Sequence, residues 1–283
     1  MLWPRAARRE TAHERTRMTT APHIPPEPQS ESVPALRRAV RVLDFVGAAP
    51  HPPHAADIAR ALGLPKSTAH GLIACMVELE LLTRGADGTL RLGSHLMRWA
   101  GGFLGQTDMV SAFRDVLAES PALGDHTVTL SLLDGTDVVY LACRNSPAPL
   151  GITFRIGMRL PAQFTATGKA VLATLPPARV AALLQGPWPA GLTPHSVAGL
   201  PDLTRELEET RARGFSIDDG QVREGMVCLG AAVRDHSTLE DGPATAGIAI
   251  SLLAHEASET RRAELAGHLT RIAAALSSRL GAG

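Results

Sequence analysis

The residues in this chain best equipped for covalent chemistry do not fall into a catalytic pattern. Thr167-Gly168-Lys169-Ala170 has the outline of a phosphate loop, but the G-x-x-x-x-G-K-[ST] spacing also requires a glycine at position 163 and a metal-binding hydroxyl at 170. Those positions hold Gln163 and Ala170. Cys228, His236 and Asp218 offer a nucleophile, a base and an orienting carboxylate. Nothing in their spacing requires them to meet, and a lone strand cysteine also packs as a small hydrophobe. The eleven histidines are dispersed, and the close pair His51 and His54 lies in a proline-rich loop. Cys75, Cys143 and Cys228 show no C-x-x-C spacing, which speaks against a zinc site or a disulfide framework and suits a reducing cytosol. The sequence therefore points to no catalytic residues, no metal and no cofactor.

A second set of polar residues suits recognition. Lys66, Ser67, Thr68, His70 and Gly71 stand in one short stretch, and small or hydrogen-bonding residues on a helix face permit close approach to base edges and phosphates. Arg37, Arg38 and Arg41 precede the stretch, and Arg84 and Arg91 follow it, within reach of a nucleic-acid backbone. The whole chain has a formal net charge of +0, yet residues 33–98 carry eight Lys/Arg against five Asp/Glu. This local excess is a modest electrostatic footprint for phosphate binding.

The elements that must position these residues are legible from periodicity. At 283 residues, 45% hydrophobic and 20% charged, the chain has room for two domains. No apolar run approaches the ~18 residues of a membrane span, and no apolar stretch follows the N-terminal arginines as a secretory signal would. Residues 1–32 read as a disordered tail, its Pro22–Pro28 segment unable to sustain a helix or central strand; Met18 is an alternative start. Leu36, Ala39, Val40, Leu43 and Val46 follow helical spacing, and a short helix follows from Ala55 to Leu62. Gly63-Leu64-Pro65 then connects to a third helix, about Pro65 to Glu80, with the apolar stripe Ala69, Leu72, Ile73, Met76 and Leu79. Helix, glycine-containing turn, helix is the outline of a DNA-binding motif, whose second helix enters the major groove. The extended segments Leu81–Arg84 and Thr89–Leu92, joined through Asp87-Gly88, read as a hairpin in the position of a wing. Such domains also bind proteins, and the missing arginine on the groove face favours that alternative.

A helix from His95 to about Leu104, with Gly101-Gly102 as a pivot, links to a second region. There, Val128–Leu133 and Val138–Cys143 are expected as a strand pair around the turn Asp134-Gly135-Thr136-Asp137, with further strands at Phe215–Asp218, Cys228–Arg234 and Ala246–Leu252. Helices are expected at Gly168–Leu175, Ala178–Leu184, Leu203–Arg213 and about Ser258–Leu280. Paired strands with interspersed helices indicate an α+β sheet domain.

Several motifs in order resemble the IclR (isocitrate-lyase-regulator-like) family of bacterial transcription factors. Leu62-Gly63-Leu64-Pro65-Lys66-Ser67-Thr68-Ala69-His70 is similar to the family's recognition-helix region, flanked by Arg38–Asp44 and Thr89–Gly93. Thr165-Ala166-Thr167-Gly168-Lys169-Ala170 matches its T-A-x-G-K-A segment, and Gly214–Asp219 with Gly225-Met226-Val227-Cys228 resembles its signature near the effector pocket. The resemblance covers about residues 34–280. It implies a winged helix-turn-helix over 33–93, a linker helix over 94–109 and a GAF-like effector-binding domain over 110–283. It also implies dimers, or dimers of dimers, on palindromic double-stranded operators. The sequence departs from the family at Gly71, where an arginine is usual, at Gln163, where many members have histidine, and at Ala249, where members that bind small keto acids have serine.

The resemblance nominates Asp218, Cys228 and Ser251 as polar pocket residues, with the backbone amides near Thr165, Ala166 and Thr167. A helix start there favours a carboxylate or other anion. Met158, Leu160 and Phe164 are expected as the apolar wall, and Lys169 as a solvated helix residue. The reading that results is a cytoplasmic DNA-binding regulator, activator or repressor, controlled by a small, carboxylate-bearing metabolite. A small-molecule sensor acting through protein contacts is the alternative.

Overall fold

The computed structural model describes residues 33–105, 109–146, 154–235 and 242–281, with the side chains of 103–105 left aside. The expected tail over 1–32, His236 and part of the linker lie outside the described residues. Its contacts divide the chain into two units, Met1–Gly102 and Phe103–Gly283.

In the first unit, α1 (Pro34–Ala48), α2 (Ala55–Ala61) and α3 (Lys66–Glu78) precede β1 (Leu82–Arg84) and β2 (Leu90–Leu92). Val42, Val46, Ile58, Leu62, Ile73, Met76, Leu82 and Leu90 form their common core. Both helix ends that shape the motif close in the same way. After α2, Gly63 at φ 64° lets its N–H reach Arg60 O while Leu64 N–H reaches Ala59 O. After α3, Glu80 at φ 58° donates to Val77 O and Leu81 donates to Met76 O. These are paired Schellman bonds, with a left-handed residue just past the helix. They end α3 before the expected Glu80 and turn the chain into the hairpin. There β1 and β2 pair antiparallel with Arg84 opposite Leu90, and Leu90 N–H donates to Pro53 O at 2.8 Å, tying the wing to the α1–α2 loop.

Two expected apolar stripes overrun this small core. Leu79, at the end of α3, is 52% exposed, and on α1 Leu36 and Val40 are 63% and 49% exposed. Three short helices and a two-stranded hairpin cannot cover both stripes. The linker helix α4 runs His95–Gly105 and contains Gly101 and Gly102.

The second unit is a six-stranded antiparallel sheet. Its strands are β3 (Thr127–Asp134), β4 (Asp137–Arg144), β5 (Arg159–Pro161), β6 (Ser216–Asp219), β7 (Met226–Val233) and β8 (Ala246–Leu253), in the order β5-β4-β3-β8-β7-β6. One face packs on α5 (Met109–Ala118) and α9 (Glu259–Arg279). The other carries α6 (Ala166–Thr174), α7 (Pro177–Leu183) and α8 (Leu200–Arg213). α5 and β5 were not anticipated. α5 lies where the linker was expected to give way to the sheet, and β5 is three residues long with a proline at its end, too short to show alternation.

Gly230 and Gly247 set the position of α6. A Cβ on Gly230 would overlap the Ala166 carbonyl, and one on Gly247 would come within 2.9 Å of the Thr167 carbonyl. The first turn of α6 therefore lies against the backbone of β7 and β8, a close approach only glycine permits.

Candidate nucleic-acid face and ligand pocket

Helix α3 separates its faces cleanly. Ala69, Ile73 and Met76 are buried, while Lys66, Ser67, His70, Gly71 and Ala74 are exposed and Thr68 is half-buried. Its first turn carries no acidic residue to repel a phosphate. Beyond Gly71 there is open space, so the departure from the family pattern leaves a gap on the outer face and does not repack the core. Arg84 and Arg91 are exposed on the wing, Arg38 is exposed on α1, and Arg37 and Arg41 are half-buried there.

In the second unit a small pocket, partly open to solvent, is lined by Thr129, Tyr140, Phe154, Thr165, Ala166, Thr167, Asp218, Val222, Met226, Cys228, Ala249 and Ser251. Strand register builds its floor. Asp218 pairs with Cys228 and Cys228 with Ser251, while Thr129 pairs with Ala249. Directly paired residues share a face. A bulge in β4, where the register shifts beside Leu130/Ser131, keeps both Tyr140 and Cys143 on this same face.

The first turn of α6 closes the other side. Thr165 caps it by accepting from Gly168 N–H at 3.0 Å. The amides of Ala166 and Thr167, the first two of the helix, have no intrahelical acceptor. Thr167 is 2% exposed and its hydroxyl has no hydrogen-bond partner. The buried hydroxyl and the two helix-start amides belong to residues that line the pocket, and such groups favour an acceptor-bearing ligand.

Asp218 is almost fully buried. Its Oδ1 accepts from the amides of Gln221 at 2.7 Å and Val222 at 3.3 Å. Burial pushes its carboxyl up to about 6, against the opposing pull of the Lys169 charge and those two amides. Cys228 Sγ lies 3.1 Å from Ser251 Oγ, and burial holds its thiol far above the usual range. Among the described residues no group of three potential ligands could hold a metal, and no helix is long and apolar enough to cross a membrane.

Six of the seven nominated pocket residues line this cavity: Thr165, Ala166, Thr167, Asp218, Cys228 and Ser251. Met158 does not; it packs half-buried against the core that also holds Leu160 and Phe164, and neither of those two lines the cavity. Their place is taken by Tyr140, Phe154, Val222 and Met226. Register with β3 and β8 would have implicated the strand members of this set, had that register been known. Lys169 is not solvated. It is fully buried, with its Nζ 2.7 Å from Glu206 Oε2, and Glu206 Oε1 in turn accepts from Gln221 Nε2 at 2.8 Å. The glycine-permitted seating of α6 on the sheet carries this lysine inward.

Two family models match the chain. The bacterial transcriptional regulator IclR C-terminal model matches residues 102–278, and the IclR helix-turn-helix domain model matches residues 35–86. The HTH-type transcriptional regulator XynR of Escherichia coli is 28% identical over 250 residues, spanning 88% of this chain and 98% of that protein. The crystal structure of the Agobacterium tumefaciens repressor BlcR is 56% identical, with a TM-score of 0.58 over 89% of this chain and 99% of that one. An IclR homologue from Microbacterium hydrocarbonoxydans, solved with 4-hydroxybenzoate, shares the fold at 24% identity and a TM-score of 0.74, over 88% of this chain and all of that one.

Proposed function

This chain belongs to the IclR family of bacterial transcriptional regulators, and from that premise we propose that it binds a palindromic operator as a dimer under the control of a small carboxylate-bearing metabolite. The observation that carries the reading is the pairing of an exposed polar face on α3 with a separate pocket that presents unmatched donors. Lys66, Ser67, Thr68, His70 and Gly71 would meet the major groove, while Arg84, Arg91, Arg37, Arg38 and Arg41 would meet phosphates. Self-association is supported by the exposed apolar residues Val33, just before α1, Leu36 and Val40 of α1, and Met97 and Trp99 of α4, which a monomer would leave in water. The 4-hydroxybenzoate of the Microbacterium protein supports a small carboxylate as the ligand class. The repressor description of the Agobacterium relative favours repression as the sign of control.

The wing tests the nucleic-acid side. Arg84→Ala and Arg91→Ala are each expected to lower the slope of log affinity against log salt by about one, for any duplex sequence, because each removes one phosphate contact. Fluorescence anisotropy across a salt series reads this. Slopes equal to that of the unaltered chain would place the wing off the DNA and favour the protein-contact alternative.

Control requires that ligand binding bias the spacing of the two DNA-binding units, and its leverage is limited to the difference in ligand affinity between the arrangements. Gly101 and Gly102 are exposed within α4, with nothing near enough to obstruct a Cβ. Changing both to alanine stiffens the helix by ~1 kcal/mol per site. The expected outcome is an altered ligand response with unchanged DNA affinity in its absence. An unaltered response in a reporter assay removes the pivot.

A further inference from the structure

The pocket contains a charge conflict. Of its twelve lining residues, Asp218 alone is a carboxylate, and none is a lysine, arginine or histidine. Lys169 of α6, the cation that acts on Asp218, is held by Glu206 of α8 at 2.7 Å, so its charge is already matched. Asp219, next on the same strand, is occupied by Arg262 of α9 at 2.9 Å. Among the described residues, the titratable groups of the neighbouring strands that act on Asp218 are the Cys228 thiol and the Tyr140 hydroxyl, both pushed upward by burial. Yet the α6 amides and the unmatched Thr167 hydroxyl favour an anion in the same space. Asp218 lines the same pocket as Thr165, Ala166 and Thr167, so a carboxylate held at the start of α6 shares that pocket with it, and two carboxylates at short range in a buried site do not both stay ionised.

We infer that a carboxylate ligand enters this pocket together with one proton, shared between its own carboxylate and that of Asp218. The inference rests on the ligand-pocket reading given above. The proton comes from solvent and no bond of the ligand breaks. Its uptake costs little, because burial already holds the free Asp218 carboxyl near 6. The linkage has a definite sign. Above about pH 6 the free site is ionised and must gain a proton on binding, so the apparent dissociation constant rises by up to about tenfold per pH unit. Below that pH the site is already protonated, and the affinity is flat until the ligand's own carboxyl titrates.

The test is calorimetry on the full chain with straight-chain carboxylates from acetate to hexanoate and the corresponding amides, between about pH 6 and about pH 8. Each titration is run in two buffers of different ionisation enthalpy. The expected result is uptake of close to one proton at the upper pH, with affinity falling across the range. Asp218→Asn, whose amide oxygen can still accept from Gln221 and Val222, is expected to bind the same carboxylate with a flat pH profile. Proton uptake by the unaltered chain decides the matter even where that variant does not fold. Carboxylate binding without proton uptake overturns the inference and leaves the pocket standing, as does binding of the amides alone. Binding of neither series overturns both the inference and the pocket reading.

Discussion

Gly230→Ala is expected to destabilise the C-terminal unit by about 1–3 kcal/mol, the range for forcing a methyl into a filled site. The added Cβ meets two obstacles at once, the Ala166 carbonyl and, at 2.5 Å, the Ser216 hydroxyl, which itself donates to that carbonyl at 2.6 Å. The Ser216 hydroxyl can rotate away, but the backbone carbonyl cannot yield without lifting the first turn of α6, so the amides and the Thr167 hydroxyl leave their places in the pocket together with the stability. Gly71→Ala is the matched control. Nothing lies within 4 Å of its Cβ, and the same substitution mid-helix is worth about 0.5–1 kcal/mol of stabilisation. Urea denaturation compares the two, each through a tryptophan of its own unit: Gly230→Ala is followed by Trp188 in a chain carrying Trp3→Phe and Trp99→Phe, and Gly71→Ala by Trp99 in a chain carrying Trp3→Phe and Trp188→Phe. Equal and small effects at both positions would mean that α6 is not seated on β7 as described.

Glu206→Ala is expected to cost more, about 3 kcal/mol, the lower end for breaking a buried ion pair because Glu206 keeps some solvent contact. It strands the fully buried Lys169 ammonium and removes the acceptor of Gln221 Nε2. The converse change, Lys169→Met, leaves Glu206 its 27% exposed side chain and its bond from Gln221, and costs less. The double change Lys169→Met with Glu206→Leu removes both charges and is expected to recover most of the loss, since an apolar replacement of a buried pair is often neutral. Urea midpoints of the three variants check this order. A double change no better than Glu206→Ala alone would show that the pair contributes more than mutual neutralisation. Gln221 N–H also holds Asp218 at 2.7 Å, so the network reaches the pocket, and ligand affinity is expected to fall in the same order as stability.

Local signals carried much of this fold. Gly63 announced the turn between α2 and α3 because a left-handed residue is needed there. Asp134-Gly135-Thr136-Asp137 announced the first hairpin of the second unit, where Asp134 pairs with Asp137 around Gly135 at φ 60°. The strands and helices from Ala166 to Leu253 fall within two or three residues of their expected bounds because their apolar periods are long enough to read. What sequence could not supply was anything set by long-range register or layer packing. Thr129 and Tyr140 reach the pocket through the pairing of β3 with β8 and β4 and through a bulge, and Phe154 through its ring beside that of Tyr140, centroids 5.1 Å apart; none of these leaves a local mark. The burial of Lys169 depends on α6 lying flat on two glycines more than sixty residues away along the chain. The exposure of Leu36, Val40 and Leu79 reflects how little core a domain of three helices and a hairpin encloses, which periodicity alone does not reveal.

The most direct measurement is selection of bound duplexes from a random pool by the full chain, at two salt concentrations and beside a Lys66→Ala/His70→Ala variant. The expected result is a two-fold symmetric motif whose half-sites lie one helical repeat or a multiple apart. Recovery should weaken steeply with salt, and the motif should be lost in the variant. No enrichment above background for the unaltered chain, with and without the carboxylates that occupy the pocket, would contradict operator recognition and leave a ligand sensor that works through protein contacts.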